Sequence, residues 1–187
     1  MPKKKAPDKT TALHRLWQCA YAHYAFVKAK GLVETYLKLG SNERAIAYDS
    51  LITAAVVLYA RPFKGAGIGT LDDKFKVIGE AQPQIIHDCL IKARDKVIAH
   101  NDTPDISTYN LTLRVTKTPY SLGVNITHPK ISDETVEHFD KLCAYQIYRI
   151  GREMNTIAHI LYPKTKMLER LAANNLEVED IIIPKPV

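Results

Sequence analysis

The firmest constraint lies near the carboxyl end. Val136, Phe139, Cys143, Ile147, Ile150, Met154, Ile157 and Leu161 follow one another at steps of three and four. That spacing keeps one apolar face on an α-helix of about 3.6 residues per turn. Ser132, followed by Asp133 and Glu134, supplies a cap and the acids that suit a helix N-terminus. Pro163 closes the run. At about 1.5 Å per residue the helix spans roughly 40 Å. A rod of that length with one apolar stripe buries it only against other long helices, which points to a bundle.

The rest of the chain supplies the partners. Leu13, Trp17, Ala20, Tyr24, Val27 and Gly31 form a stripe that predicts a helix from Thr10 to about Leu39. Gly40-Ser41-Asn42 stops it, and residues 43–60 follow, apolar around most of their circumference as a central bundle helix should be. Arg61-Pro62-Phe63 is expected to end this second helix. The glycines at 65, 67 and 69 do not meet the GxGxxG pattern and follow a helix, so the loop is not read as a phosphate loop. Thr70 and Asp73 read as a cap and its acid, opening a short helix through Ile78. Residues 82–100 carry Ile86, Cys89, Leu90, Ala93 and Val97 on one face. The period then falls to two. Leu111, Leu113 and Val115, then Leu122, Val124 and Ile126, predict a β-hairpin over about 109–127.

The fold class is therefore mainly all-α: an antiparallel bundle of four to five helices with one small β-hairpin inserted before the last long helix. Residues 10–175 form that domain, closing with a short helix at 164–175; residues 1–9 form a basic flexible arm, and 176–187 a tail.

Charge adds less than it first suggests. Seven of the 26 Lys/Arg and one of the 20 Asp/Glu fall in residues 1–30, leaving nineteen of each beyond. The whole +6 excess sits at the amino end. Cys19, Cys89 and Cys143 are far apart, each in an apolar helical pattern, and read as reduced packing residues of a cytoplasmic protein. The longest apolar run, Leu51–Ala60, is about half of what a bilayer requires, and no apolar segment follows the first lysines to make a secretory signal. Neither membrane attachment nor secretion is expected.

Chemistry concentrates in Ala93-Arg94-Asp95-Lys96-Val97-Ile98-Ala99-His100-Asn101-Asp102. On an ideal helix Arg94 and His100 are about 120° and about 9 Å apart, so they share a phosphate only through the reach of Arg, a frayed helix end or a dimer. Ile91 and Ile98 form a second apolar strip flanked by Arg94 and His87, open to another helix or a second copy. Arg, a polar residue, then His after five intervening positions, at the end of a bundle helix, resembles the HEPN superfamily (higher eukaryotes and prokaryotes nucleotide-binding domains). The wording RDKVIAHND is most similar to its abortive-infection-like branch.

That resemblance implies a homodimer whose Arg94, Asp95 and His100 line an interfacial cleft and cut RNA without a metal or cofactor. His100 would move the proton of the 2′-OH or of the leaving oxygen, Arg94 would hold the phosphate, and Asp95 would orient either. His87 and Asn101 are the expected RNA-contacting neighbours. The setting implied is a defence or toxin–antitoxin system with RNA as substrate and an antitoxin or defence-system protein as partner. The alternative is a non-catalytic dimer of the same fold that binds nucleotide, RNA or protein. Beside both stands a plainer account, in which His100 interacts with the carbonyl end of its helix and Arg94 and Asp95 are surface charges. No HExxH, CxxC or serine-nucleophile pattern occurs.

Overall fold

The structure, a computed structural model, describes residues 9–65, 69–98, 109–114, 121–126 and 131–163. The elements are α1 (Lys9–Lys38), α2 (Ser41–Lys64), a 3-10 turn (Asp73–Phe75), α3 (Ala81–Ile98), strands β1 (Tyr109–Arg114) and β2 (Ser121–Ile126), and α4 (Asp133–Leu161). The protein is helical. The two strands pair antiparallel with Leu111 opposite Val124 and Leu113 opposite Leu122. Residues 1–8 of the expected arm, the short helix expected at 164–175 and the tail fall outside the described residues, whereas Lys9, expected in the arm, begins α1.

Helix α1 runs antiparallel to both α2 and α4. Its early turns meet the end of α4, where Arg15 pairs with Glu153 at 2.6 Å. Its last turns meet the start of α4, where the Tyr36 hydroxyl donates to Asp133 at 3.1 Å. The turn into α2 is tied locally. The Glu43 carboxylate accepts from Gly40 N at 2.9 Å, and Arg44 donates to the Leu37 and Leu39 carbonyls that end α1. At α4, Ser132 Oγ accepts from Thr135 N at 3.2 Å, the expected N-cap.

The buried stripe of α1 differs from the one read in sequence. Ala12, Leu16, Cys19, Ala22, Phe26, Ala29, Val33 and Tyr36 face the core, whereas Tyr24 and Val27 are exposed. Small side chains decide this. Ala and Cys carry little weight in a hydrophobic pattern, yet they let backbones approach closely and make a well-filled contact. The same cause moves the centre of the bundle: α1, rather than the more apolar α2, makes the close approaches to two helices, α2 and α4.

Two boundaries also shift. Helix α2 continues through Pro62 to Lys64. Phe63 is buried and packs on Phe26 and Tyr59 at 5.7 Å between ring centroids, and this burial offsets the hydrogen bond that proline cannot make. The helix expected from Thr70 to Ile78 is one 3-10 turn preceded by Asp72, without a side-chain cap. Side chains take the carbonyls that a longer helix would use: Arg149 donates to Lys74 O and Val77 O, and Gln84 to Lys76 O.

Candidate functional site

The candidate site begins on α3. Ile86 and Leu90 are buried as expected, but Cys89 is exposed and His87 is only 3% exposed. The packed face is thus centred between Ile86/Leu90 and His87/Ile91. Arg94 and Asp95 continue that line one turn further, a step of about 5.4 Å along the axis.

Asp95 bridges two cations. Its Oδ2 accepts from Lys64 Nζ at 2.5 Å and its Oδ1 from Arg94 Nη1 at 3.2 Å. The Lys64 ammonium, with Arg94 assisting, holds the Asp95 carboxyl below the ordinary carboxylate range against partial desolvation. The bridge ties the last residue of α2 to the final turns of α3. Both side chains of the Arg94–Asp95 pair are about one-third exposed, at 32% and 38%. Arg94 therefore keeps guanidinium donors beyond the one that meets Asp95.

His87 occupies a different setting from the one read in sequence. Its Nδ1 lies 2.8 Å from the Tyr59 hydroxyl, and its ring stands edge-on to Phe63 at 4.8 Å between centroids. Burial pushes the imidazole below its ordinary pKa; Lys76 and Arg149 add to this, and Asp88 opposes it. The ring is neutral near pH 7. Tyr59 is fully buried, with its phenol raised well above the ordinary value by desolvation. The protonated phenol can donate to Nδ1, which places the hydrogen of His87 on Nε2, or accept from Nδ1–H, so the contact is a hydrogen bond in either tautomer.

His100 and Asn101 lie outside the described residues, so Arg94, Asp95 and His87 are the expected site residues with a described place. Sequence reasoning missed Lys64 and Tyr59. Nothing in the spacing marks them, because Lys64 reads as the start of the glycine loop and Tyr59 as one more apolar position of α2. Among the described residues no group of three or more His, Cys, Asp or Glu is placed to hold a metal ion. No helix among them is long and apolar enough to cross a membrane. The chain matches no protein-family model, no curated protein and no solved structure.

Proposed function

We propose that the chain is a HEPN-like, metal-independent endoribonuclease of a defence or toxin–antitoxin type, acting in the cytoplasm as a homodimer on RNA. The observation that carries this reading is the Arg94–Asp95 pair at the end of α3, steered from α2 by Lys64. A guanidinium restrained by a carboxylate on one nitrogen still offers N–H donors to a phosphate. In the proposed reaction His100 takes the 2′-OH proton or protonates the leaving 5′-oxygen. Arg94 offsets the charge that develops on the phosphoryl oxygens, and Asp95 limits the rotamers of Arg94. The products are a 2′,3′-cyclic phosphate and a 5′-hydroxyl. The hairpin between α3 and α4 belongs to this reading of the fold, as do an antitoxin or other defence-system partner and a second Arg/His pair across the dimer.

The test is cleavage of total RNA in EDTA, with the new ends identified chemically. The expected result is cyclic-phosphate ends from the wild type and none from Arg94→Ala or His100→Ala. Unchanged cutting by either variant would overturn the assignment.

One observation favours a second reading. The Lys64–Asp95–Arg94 chain is sufficient by itself as a tie between α2 and α3, which suits a non-catalytic dimer that binds nucleotide, RNA or a protein partner. RNA binding that weakens with salt, without cleavage, would select it.

A further inference from the structure

A groove between the start of α3 and the middle of α4 lies apart from the Arg94–Asp95 pair. Its volume is about 460 Å³. Buried Ile78, Ile86 and Leu142, with the more open Pro83 and Tyr145, give it an apolar lining. Gln82 and His138, 2.8 Å apart, tie the two helices at its edge. Exposed apolar side chains gather around it: Tyr145, Val77 beside Ile78, Ile85 one turn above Ala81, and Tyr148 nearly a turn beyond Tyr145. These are four of the eight large apolar side chains exposed among the described residues. An apolar patch of this kind marks a surface that something covers.

The charges along α4 restrict what that is. Glu134, Glu137, Tyr145, Arg149 and Arg152 share one side of the helix, within about 120° of one another on ideal geometry. From the end of α4 toward its start, this side runs from cationic through apolar to acidic: Arg152 and Arg149, then Tyr145 and the groove, then Glu137 and Glu134. Arg152 lies over the Tyr148 ring and Arg149 over the Tyr145 ring, and neither has a carboxylate partner among the described residues. The rim of the groove itself carries Lys141 and Glu80, one charge of each sign. The complementary segment is extended and apolar at its centre, acidic on the side toward the end of α4 and basic on the other.

The tail of the chain has that order. Glu177, Glu179 and Asp180 precede Ile181, Ile182 and Ile183, and Lys185 follows between Pro184 and Pro186. Proline disfavours helix at the residue before it, so Ile183 and Lys185 suit an extended segment. With Ile182 level with Leu142 and Tyr145, extended chain puts Glu179 and Lys185 about 10 Å to either side, against about 8 Å for Arg149 and about 10 Å for Glu137 along α4. The reach is sufficient. Leu161 lies about 24–29 Å along the helix from that level, and residues 164–180 span about 35 Å even with the helix expected at 164–175. We propose that residues 177–185 dock along α4 of their own chain, antiparallel to it. The three isoleucines fill the groove, the acids face Arg149 and Arg152, and Lys185 faces Glu137. This docking does not depend on the ribonuclease reading.

The experiment is disulfide trapping in the full chain, with Cys89→Ser leaving only the buried Cys19 and Cys143 as native thiols. Tyr145→Cys with Ile182→Cys is expected to form a disulfide within one chain about tenfold faster than Ile46→Cys with Ile182→Cys, because docking raises the effective concentration of one thiol at the other. Ile46, on α2, is the more exposed of the two positions, so access alone would give the opposite order. Arg152→Glu should slow the trapping severalfold, and adding Glu177→Lys should restore it. A second measurement needs no added cysteine. Replacing Ile181, Ile182 and Ile183 with serine should shift the methyl NMR signals of Ile78 and Ile86 and leave those of Ile52, buried on α2, in place. Trapping no faster than at Ile46, indifference to the charge at Arg152, or unmoved Ile78 and Ile86 signals would each overturn the proposal. So would a disulfide that forms between two chains, which would give the groove to a second copy.

Discussion

The Tyr59 hydroxyl and His87 Nδ1 lie 2.8 Å apart inside a cage of aromatic rings, and this contact joins α2 to α3. Phe26, Phe63 and Phe139 surround Tyr59 at 5.2, 5.7 and 5.3 Å between ring centroids. Tyr59 is fully buried and His87 nearly so, which leaves little room for water as a substitute partner between them. Removing one member therefore costs more than the net strength of one hydrogen bond.

Tyr59→Phe keeps the ring packing and leaves His87 Nδ1 without its hydrogen-bond partner. The expected loss is about 1–3 kcal/mol, the cost of a buried polar group left unpaired. Urea unfolding followed by circular dichroism should show a lower midpoint with an unchanged slope. A midpoint equal to that of the wild type would mean that the pair contributes nothing to stability.

The same pair sets a pH dependence. Burial lowers the folded-state pKa of His87 below its unfolded value near 6.5, so the unfolded chain binds the proton more readily. Stability contributed by neutral His87 is thus complete above about pH 6.5 and is lost as the pH falls toward the lower folded value, at up to about 1.4 kcal/mol per pH unit. Urea midpoints measured between pH 7.5 and 5 should fall more steeply for the wild type than for His87→Gln. The difference between the two curves isolates this histidine from the other six. Parallel curves would contradict the assignment.

Thiol reactivity tests the orientation of α3 independently. Cys19 and Cys143 are buried, with desolvation pushing Cys19 up to about 11 and Cys143 further, whereas Cys89 is exposed. A thiol reagent such as Ellman's should therefore titrate one cysteine rapidly in the native chain and three in denaturant. Cys89→Ser should abolish the rapid phase. Absence of a rapid phase in the wild type would mean that α3 is rotated toward the face its sequence suggested, and rapid labelling that survives Cys89→Ser would mean that Cys19 or Cys143 is the accessible thiol.

How much of the structure is legible in the chain varies from element to element, for physical reasons. The α4 stripe, the Ser132 cap and the Gly40 break are local matters, set by side-chain periodicity and backbone hydrogen-bonding within a few residues. Each appears where the sequence puts it. Gln146, buried on α4 with its amide donating to Phe75 O at 2.9 Å, could not be read from an apolar stripe, because its partner is 71 residues away. The Arg94–Asp95 adjacency was legible. Its link to Lys64 was not.

The amino-acid order alone sets which segments become helices, since a 3.6-residue period and its caps require no distant contact. Which face of a helix turns inward is settled by fit between helices. In α1 the Ala- and Cys-bearing side wins over the stripe carrying Tyr24 and Val27, because it lets two neighbouring helices come close. In α3 the inward face turns to include His87, because Tyr59 and Phe63 offer it a hydrogen-bond partner and a packed edge. Helix α2 passes through Pro62 because Phe63 has a place in the core. Periodicity weighs each residue by its own hydrophobicity, whereas packing weighs the shape and hydrogen-bonding of whatever the residue meets.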